Sequence, residues 1–124
     1  MTWSAFPAFH KEVVAAIHAA AAEHCGGAEA KVTCRFTHCY VDGPAPYYTV
    51  IVNEPLPTPT FEQDLRGAQW TAIKAAATLV TAKHGATSTH HHAVGKLHRP
   101  LYEAERGVLF GKTLLAVKQA SAVL

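Results

Sequence analysis

Three histidines stand side by side at His90, His91 and His92, inside the polar segment Ser88-Thr89-His90-His91-His92-Ala93-Val94-Gly95-Lys96. Imidazole gains and loses a proton near neutral pH, so such a cluster suits proton transfer or the holding of an oxyanion. The same rings are metal ligands. In an extended segment His90 and His92 point to one side and His91 to the other. His90 and His92 can then chelate together if His84 or His98 supplies a third nitrogen. No carboxylate or cysteine stands close by in the sequence to complete that set, and no metal is assigned. A solvated polar loop accounts for the same residues with no chemistry at all. A tag remnant is a poor account, because tags sit at termini and this run is internal. Spacing alone leaves loop, active site and metal site open.

Other polar groups can join such a site. Lys96 and Arg99 follow the triplet and carry charge suited to a phosphate or another anion, or are simply solvated. Tyr47 by itself reads as a half-buried strand aromatic. Arg35 can pair with Asp42 or Glu54. His38 reads as a hydrogen-bonded core histidine, and Trp3, Trp70 and Tyr102 read as packing residues. Cys25, Cys34 and Cys39 form no CxxC, and the odd number reads as reduced thiols of a cytoplasmic protein.

The elements that must position these groups follow from periodicity. Phe9, Val13, Ile17, Ala20 and Ala21 recur at three- and four-residue steps and predict a helix from about Ser4 to His24. Pro7 fits only its first turn, and Cys25-Gly26-Gly27 ends it. Residues 31–41 and 46–53 alternate as strands around the Asp42-Gly43-Pro44 turn signal and predict an antiparallel hairpin. Val32, Cys34, Phe36, His38 and Tyr40 fall on one face of the first strand, opposite Lys31, Thr33, Arg35, Thr37 and Cys39. The second strand divides into Tyr47, Thr49 and Ile51 against Tyr48, Val50 and Val52. The alternating prolines of Glu54-Pro55-Leu56-Pro57-Thr58-Pro59 make a stiff connector. Thr60 and Gln63 resemble a capping box. The helix after it runs to about His84, with Phe61, Leu65, Ala68, Ala72, Ala75, Ala76 and Leu79 predicted inward. Arg99-Pro100 marks a break, 101–105 a short helix, and 108 onward a last helix.

These elements predict an α+β fold in which helices cover one face of a small antiparallel sheet. A two-stranded sheet with two open edges is a liability, which points to completion by something larger or by another chain. The length of 124 residues suits one domain or a piece of one. Charged residues are 16%, below the usual quarter, which fits either a contact surface or bland alanine-rich helices. The net charge of +2, without any basic run, gives no argument for nucleic acid. No apolar run approaches the ~20 residues of a membrane span, and residues 1–7 lack the pattern of a signal peptide.

Read together with its neighbours, His90-His91-His92-Ala93-Val94-Gly95-Lys96-Leu97 resembles the H-H-H-G-V-G-K-L segment of alkylglycerone-phosphate synthases. It also resembles the variants of that segment in bacterial FAD-linked oxidases of the vanillyl-alcohol oxidase superfamily. Arg35-Phe36-Thr37-His38-Cys39-Tyr40, with Gly43 and Tyr47, is similar to that family's R-V-T-x-x-Y-x-x-G-x-x-x-Y strand pair. Phe61-Glu62-Gln63 and Arg99-Pro100-Leu101-Tyr102 extend the likeness, which covers most of the chain from Lys31 onward. The resemblance implies FAD as cofactor and a small-molecule substrate. It matches Tyr47 to a proton-abstracting tyrosine and His90, His91 and His92 to the triplet lining the substrate and flavin site. His91, His92, Lys96 and Arg99 are the implied cofactor contacts. In the synthases an ether replaces an ester without net redox change.

Three departures qualify the likeness. No glycine-rich, phosphate-cradling segment of the flavin-binding domain is present. The chain stops at Leu124, where the family continues into an N-P-G-like turn. Ala93 replaces the glycine common after the triplet, which favours an oxidase-like relative over the ether-lipid enzyme. The expectation is a single C-terminal cap or substrate domain over residues 1–124, with its FAD-binding domain missing or on a partner chain. Alone it would bind FAD weakly or not at all and turn nothing over. The alternatives are a self-associating domain or homodimer with no retained catalysis, and a histidine metal module.

Overall fold

The helix predicted at the N-terminus is the centre of the first half of the molecule. In the computed structural model, which describes residues 1–53 and 62–122, α1 spans Phe6–His24. The side chains at 62–64 also lie outside the described residues. Pro7 occupies the first turn of α1, where its missing N–H has no helical partner to lose. Gly26 and Gly27 follow the helix with φ of 61° and 82°, a left-handed exit that a Cβ would strain. The predicted inner face is the observed one. Phe9, Val13, Ile17, Ala20 and Ala21 are all buried, and Ile17 is the largest side chain taken fully from water. Ala30 and Val80 complete this cluster.

Strands β1 (Ala30–Cys39) and β2 (Pro44–Val52) form the antiparallel hairpin, slightly offset from the predicted 31–41 and 46–53. Val32, Tyr48, Val50 and Val52 pack toward the core that α1 dominates. Phe36 joins the same side and meets Phe6 edge-on, with ring centroids 4.9 Å apart. The turn is tight against the N-terminus. A Cβ on Gly43 would lie 1.7 Å from the carbonyl oxygen of Met1, so only glycine fits there.

The register corrects the strand faces beyond Phe36. Phe36 pairs with Pro46 but His38 pairs with Ala45, so Thr37 is an extra residue and the strand is bulged. A bulge of this kind reverses the alternation after it. His38 therefore leaves the side of Phe36 and joins that of Tyr47, and Tyr40 goes with it, its ring stacked on His38 at an interplanar angle of 8°. The core histidine expected at His38 is instead an exposed one.

Helix α2 (Glu62–Lys83) packs on α1, but with a face rotated from the predicted one. Gln69 and Val80 are buried, and Ile73 and Ala77 pack against the core. Leu65 and Leu79, predicted inward, are 43% and 68% exposed. The buried Gln69 is explained by its bond: its amide donates to the carbonyl of His24 at 3.1 Å, satisfying one of the orphan acceptors at the end of α1. Trp70, expected to pack, is 53% exposed, with Lys74 lying over its ring. Phe61, Thr60 and the proline connector lie outside the described residues.

Glu12, inside α1, fastens that helix to the C-terminal end of α2. It accepts from Lys83 Nζ, and at 2.7 Å from His84 Nε2. These donors, Lys83 foremost, hold its carboxyl below the ordinary carboxylate range.

Residues Met1–Ala86 form one compact unit and Thr87–Leu124 a second. The second is built on α3 (Gly95–Ser121). The break predicted at Arg99-Pro100 does not occur: Pro100 lies inside α3, past its first turn, and the backbone stays helical through it. The break falls at Gly107, whose φ of 72° and ψ of 172° are non-helical. No residue of α3 is buried. No helix among the described residues is long and apolar enough to cross a membrane.

Candidate functional site

Tyr47 stands on the outer face of the hairpin, away from α1, and is 43% exposed. Its cross-strand partner is Arg35. The guanidinium carbon of Arg35 lies 5.0 Å from the centre of the Tyr47 ring, a cation–π contact. Among the described residues Arg35 makes no ion pair, so the expected pairing with Asp42 is not formed; Glu54 lies outside the described residues. Alternation placed Arg35 and Tyr47 each on one face of its own strand, but only the register shows that they are opposite one another.

The neighbouring tyrosine is different. Tyr48 faces inward, meets Phe9 edge-on at 6.1 Å, and shares a 2.9 Å hydrogen bond with His10 Nδ1. Burial, and then its contact with the Cys34 thiol opposite, push the Tyr48 hydroxyl above the ordinary phenol range. A neutral phenol held this way is a structural donor or acceptor and not a base. Strand alternation therefore separates two adjacent tyrosines into one that packs and one that is available.

In the second unit the histidine triplet lies in a series of bends, not in a strand. His91 takes a left-handed φ of 63°, and Gly95 follows with 56°. This geometry replaces the alternation expected of an extended segment. The rings of His90 and His91 come together, with centroids 4.0 Å apart and planes at 65°. The arrangement in which His90 and His92 share one side depends on extended backbone, and that backbone is absent here. Thr89 Oγ1 donates to the carbonyl of His92 and closes the turn.

Glu105 of α3 holds the start of this loop. It accepts from Thr87 Oγ1 at 2.5 Å, from the Ser88 amide at 3.0 Å and from Ser88 Oγ at 3.0 Å. Burial raises the affinity of this carboxyl for a proton, but the three donated bonds outweigh it and the net shift is downward. Sequence reading missed Glu105 because its partners lie well before it in the chain.

Of the remaining predicted residues, Lys96 is exposed at the start of α3. Arg99 is bound to Glu103 one turn on, Nε to Oε1 at 2.7 Å. That pairing raises the pKa of Arg99 and occupies part of its fork. His84, a possible third metal ligand in the sequence, is committed to Glu12 in the first unit. None of the three cysteines is in a disulfide.

The first unit thus presents a tyrosine beside an arginine, and the second, described by itself, a pair of close imidazole rings. Residues 1–121 match the family described as FAD linked oxidases, C-terminal domain, and the chain belongs to that family. No curated protein and no solved structure matches the chain.

Proposed function

We propose that this chain is the substrate-side wall of an FAD-dependent oxidase or transferase of the alkylglycerone-phosphate synthase type. The observation that carries the reading is the family match over residues 1–121, which includes the His90-His91-His92-Ala93-Val94-Gly95-Lys96-Leu97 segment. When bound, FAD supplies the electrophilic, redox-capable ring at which the substrate carbon reacts. The residues here fit a lining role toward it. His90 and His91 bring two imidazole rings together, and Lys96 adds an exposed cation.

Tyr47 takes the proton from the reacting carbon in this reading, with the Arg35 guanidinium lying against its ring. His90, His91 and His92 line the substrate and cofactor, and His91 and His92 also contact the flavin. Arg99 contributes only after exchanging Glu103 for a ligand anion. The segments that hold the flavin phosphates belong to another domain or chain, and this chain by itself binds FAD weakly and has no turnover. Ala93 after the triplet favours the oxidase branch over the ether-forming one.

The test is a titration of the purified chain with FAD, followed by flavin fluorescence, for wild type, Tyr47→Phe and His91→Ala. Weak saturable binding that drops further in His91→Ala is expected. A stoichiometric flavin spectrum that survives gel filtration and is indifferent to His91 would overturn the assignment.

A second reading, self-association without retained catalysis, is favoured by α3. Its Val108, Leu109, Leu114, Leu115 and Val117 are 55–79% exposed. Sedimentation equilibrium separates the two: a concentration-dependent dimer with no flavin response supports the second.

A further inference from the structure

The two edges of the hairpin are not alike. Among the described residues the sheet has only β1 and β2, so each strand offers one edge of unpaired backbone groups. The β1 edge is blunted: it carries Lys31, Arg35 and the bulge at Thr37. Charges and bulges are what keep an edge strand from pairing with another chain. β2 has no charged residue, and its stretch Tyr47-Tyr48-Thr49-Val50-Ile51-Val52 has neither proline nor glycine. Such a run of aromatic and β-branched residues is a template for strand addition. It also leaves apolar surface in water. On the outer face Tyr47 and Ile51 are 43% and 48% exposed, and on the inner face Tyr48 and Val50 are only partly covered by the core.

The order of these residues is self-complementary. An antiparallel copy of β2, related by a two-fold axis at Thr49, sets Thr49 opposite Thr49 of the second copy. Tyr48 then meets the other Val50, and Tyr47 the other Ile51. Opposite residues of an antiparallel pair share a face, so the inner sides of both hairpins stay on one side of the joined sheet. Every pair so made is aromatic with β-branched or threonine with threonine, the kinds that stabilise antiparallel strands. The residues that leave apolar surface in water thus cover one another, and one patch serving both partners is what a two-fold dimer needs. We propose that β2 docks along β2 of a second copy of this chain. The sheet becomes β1-β2-β2-β1, and Ile51 of one copy lies beside Tyr47 of the other. The inference goes beyond the flavin assignment and does not rest on it.

The test is sedimentation equilibrium of the full chain for wild type, Thr49→Glu, Thr49→Lys and an equal mixture of the two variants. Wild type should form a concentration-dependent dimer. Thr49 is exposed, so either substitution spares the inner packing of the hairpin. Each sets two like charges face to face at the axis and should raise the dimer Kd at least about tenfold. The mixture sets Glu against Lys at the same place and should recover the dimer. Leu114→Gln on α3 should dimerise as wild type. A readout that needs no variant is hydrogen exchange: dilution of wild type should speed exchange along β2 while α1 keeps its protection. A monomeric wild type, a dimer that both single variants retain, a dimer lost in Leu114→Gln, a mixture no better than its components, or β2 exchange indifferent to dilution overturns the proposal. None of these outcomes bears on the FAD titration, so failure here and failure of the flavin assignment are told apart.

Discussion

Two adjacent residues of α2 give the sharpest test of how the first unit is packed. Val80 is 7% exposed and sits in the core with Ile17 and Ala21; Leu79 is 68% exposed. Val80→Ala removes two buried carbons, at about 0.8 kcal/mol each, and leaves a small cavity, so the cost is about 2 kcal/mol. For a unit of this size each kcal/mol moves the melting temperature by about 4–8 °C, so a fall of about 8–16 °C is expected. Leu79→Ala removes a larger group, but one already in water, and should stay within about 0.5 kcal/mol of wild type. The assay is thermal and urea unfolding of the full chain by far-ultraviolet circular dichroism. The comparison is internal, because the two variants share a helix, a turn and an alanine. If Leu79→Ala costs more than Val80→Ala, then the face running through Leu65, Ala68, Ala72, Ala75 and Leu79 is the inner one and the packing described above is wrong.

Three further outcomes follow from other contacts. Ile17→Ala, at the most buried large side chain of α1, should cost about 2–5 kcal/mol and lower the urea midpoint accordingly. Glu12, whose carboxyl is held below its ordinary value of 4.5 by Lys83 and His84, adds stability that is present above that pH. That stability is lost as pH falls through its lower folded pKa, so the melting temperature of Glu12→Gln should fall less steeply on acidification than that of wild type. Glu105→Ala removes the acceptor of the Ser88 amide, so hydrogen exchange at Ser88 should accelerate while the amides of the first unit keep their protection.

Much of the fold was legible because some patterns have a single solution. In α1 the apolar residues form one stripe, and the inner face follows from spacing. In α2 they form two. Leu65, Ala68, Ala72, Ala75, Ala76 and Leu79 make one stripe; Ile73, Ala77 and Val80 make another. Alanine carries too little area to decide between them. The deciding residue was Gln69, which reads as an outer residue in sequence and is buried because the last turn of α1 needs a donor. The hairpin was visible in its alternation and turn residues, but not its bulge, since Thr37 fits an extended strand as well as any neighbour. For the site, the residue types were visible and their arrangement was not. The left-handed backbone at His91 and the hold of Glu105 on Thr87 and Ser88 depend on contacts between separated segments. The resemblance to FAD-linked oxidases was carried by the triplet and its G-K-L neighbours, a local pattern that needs no tertiary knowledge.

The extra residue in β1 also sets which length changes the hairpin can absorb. Removing Thr37 would straighten the strand and still leave Phe36 on the inner side and His38 and Tyr40 on the outer one, because the bulged position adds no alternation of its own. Removing Thr33 or Arg35 would reverse every residue on one side of the deletion and turn Phe36 or Val32 toward water. The strand thus carries one spare letter that preserves its frame when deleted. Homologous strands one residue shorter at this point would keep the same side chains beside Tyr47, whereas those shortened elsewhere would present a different face.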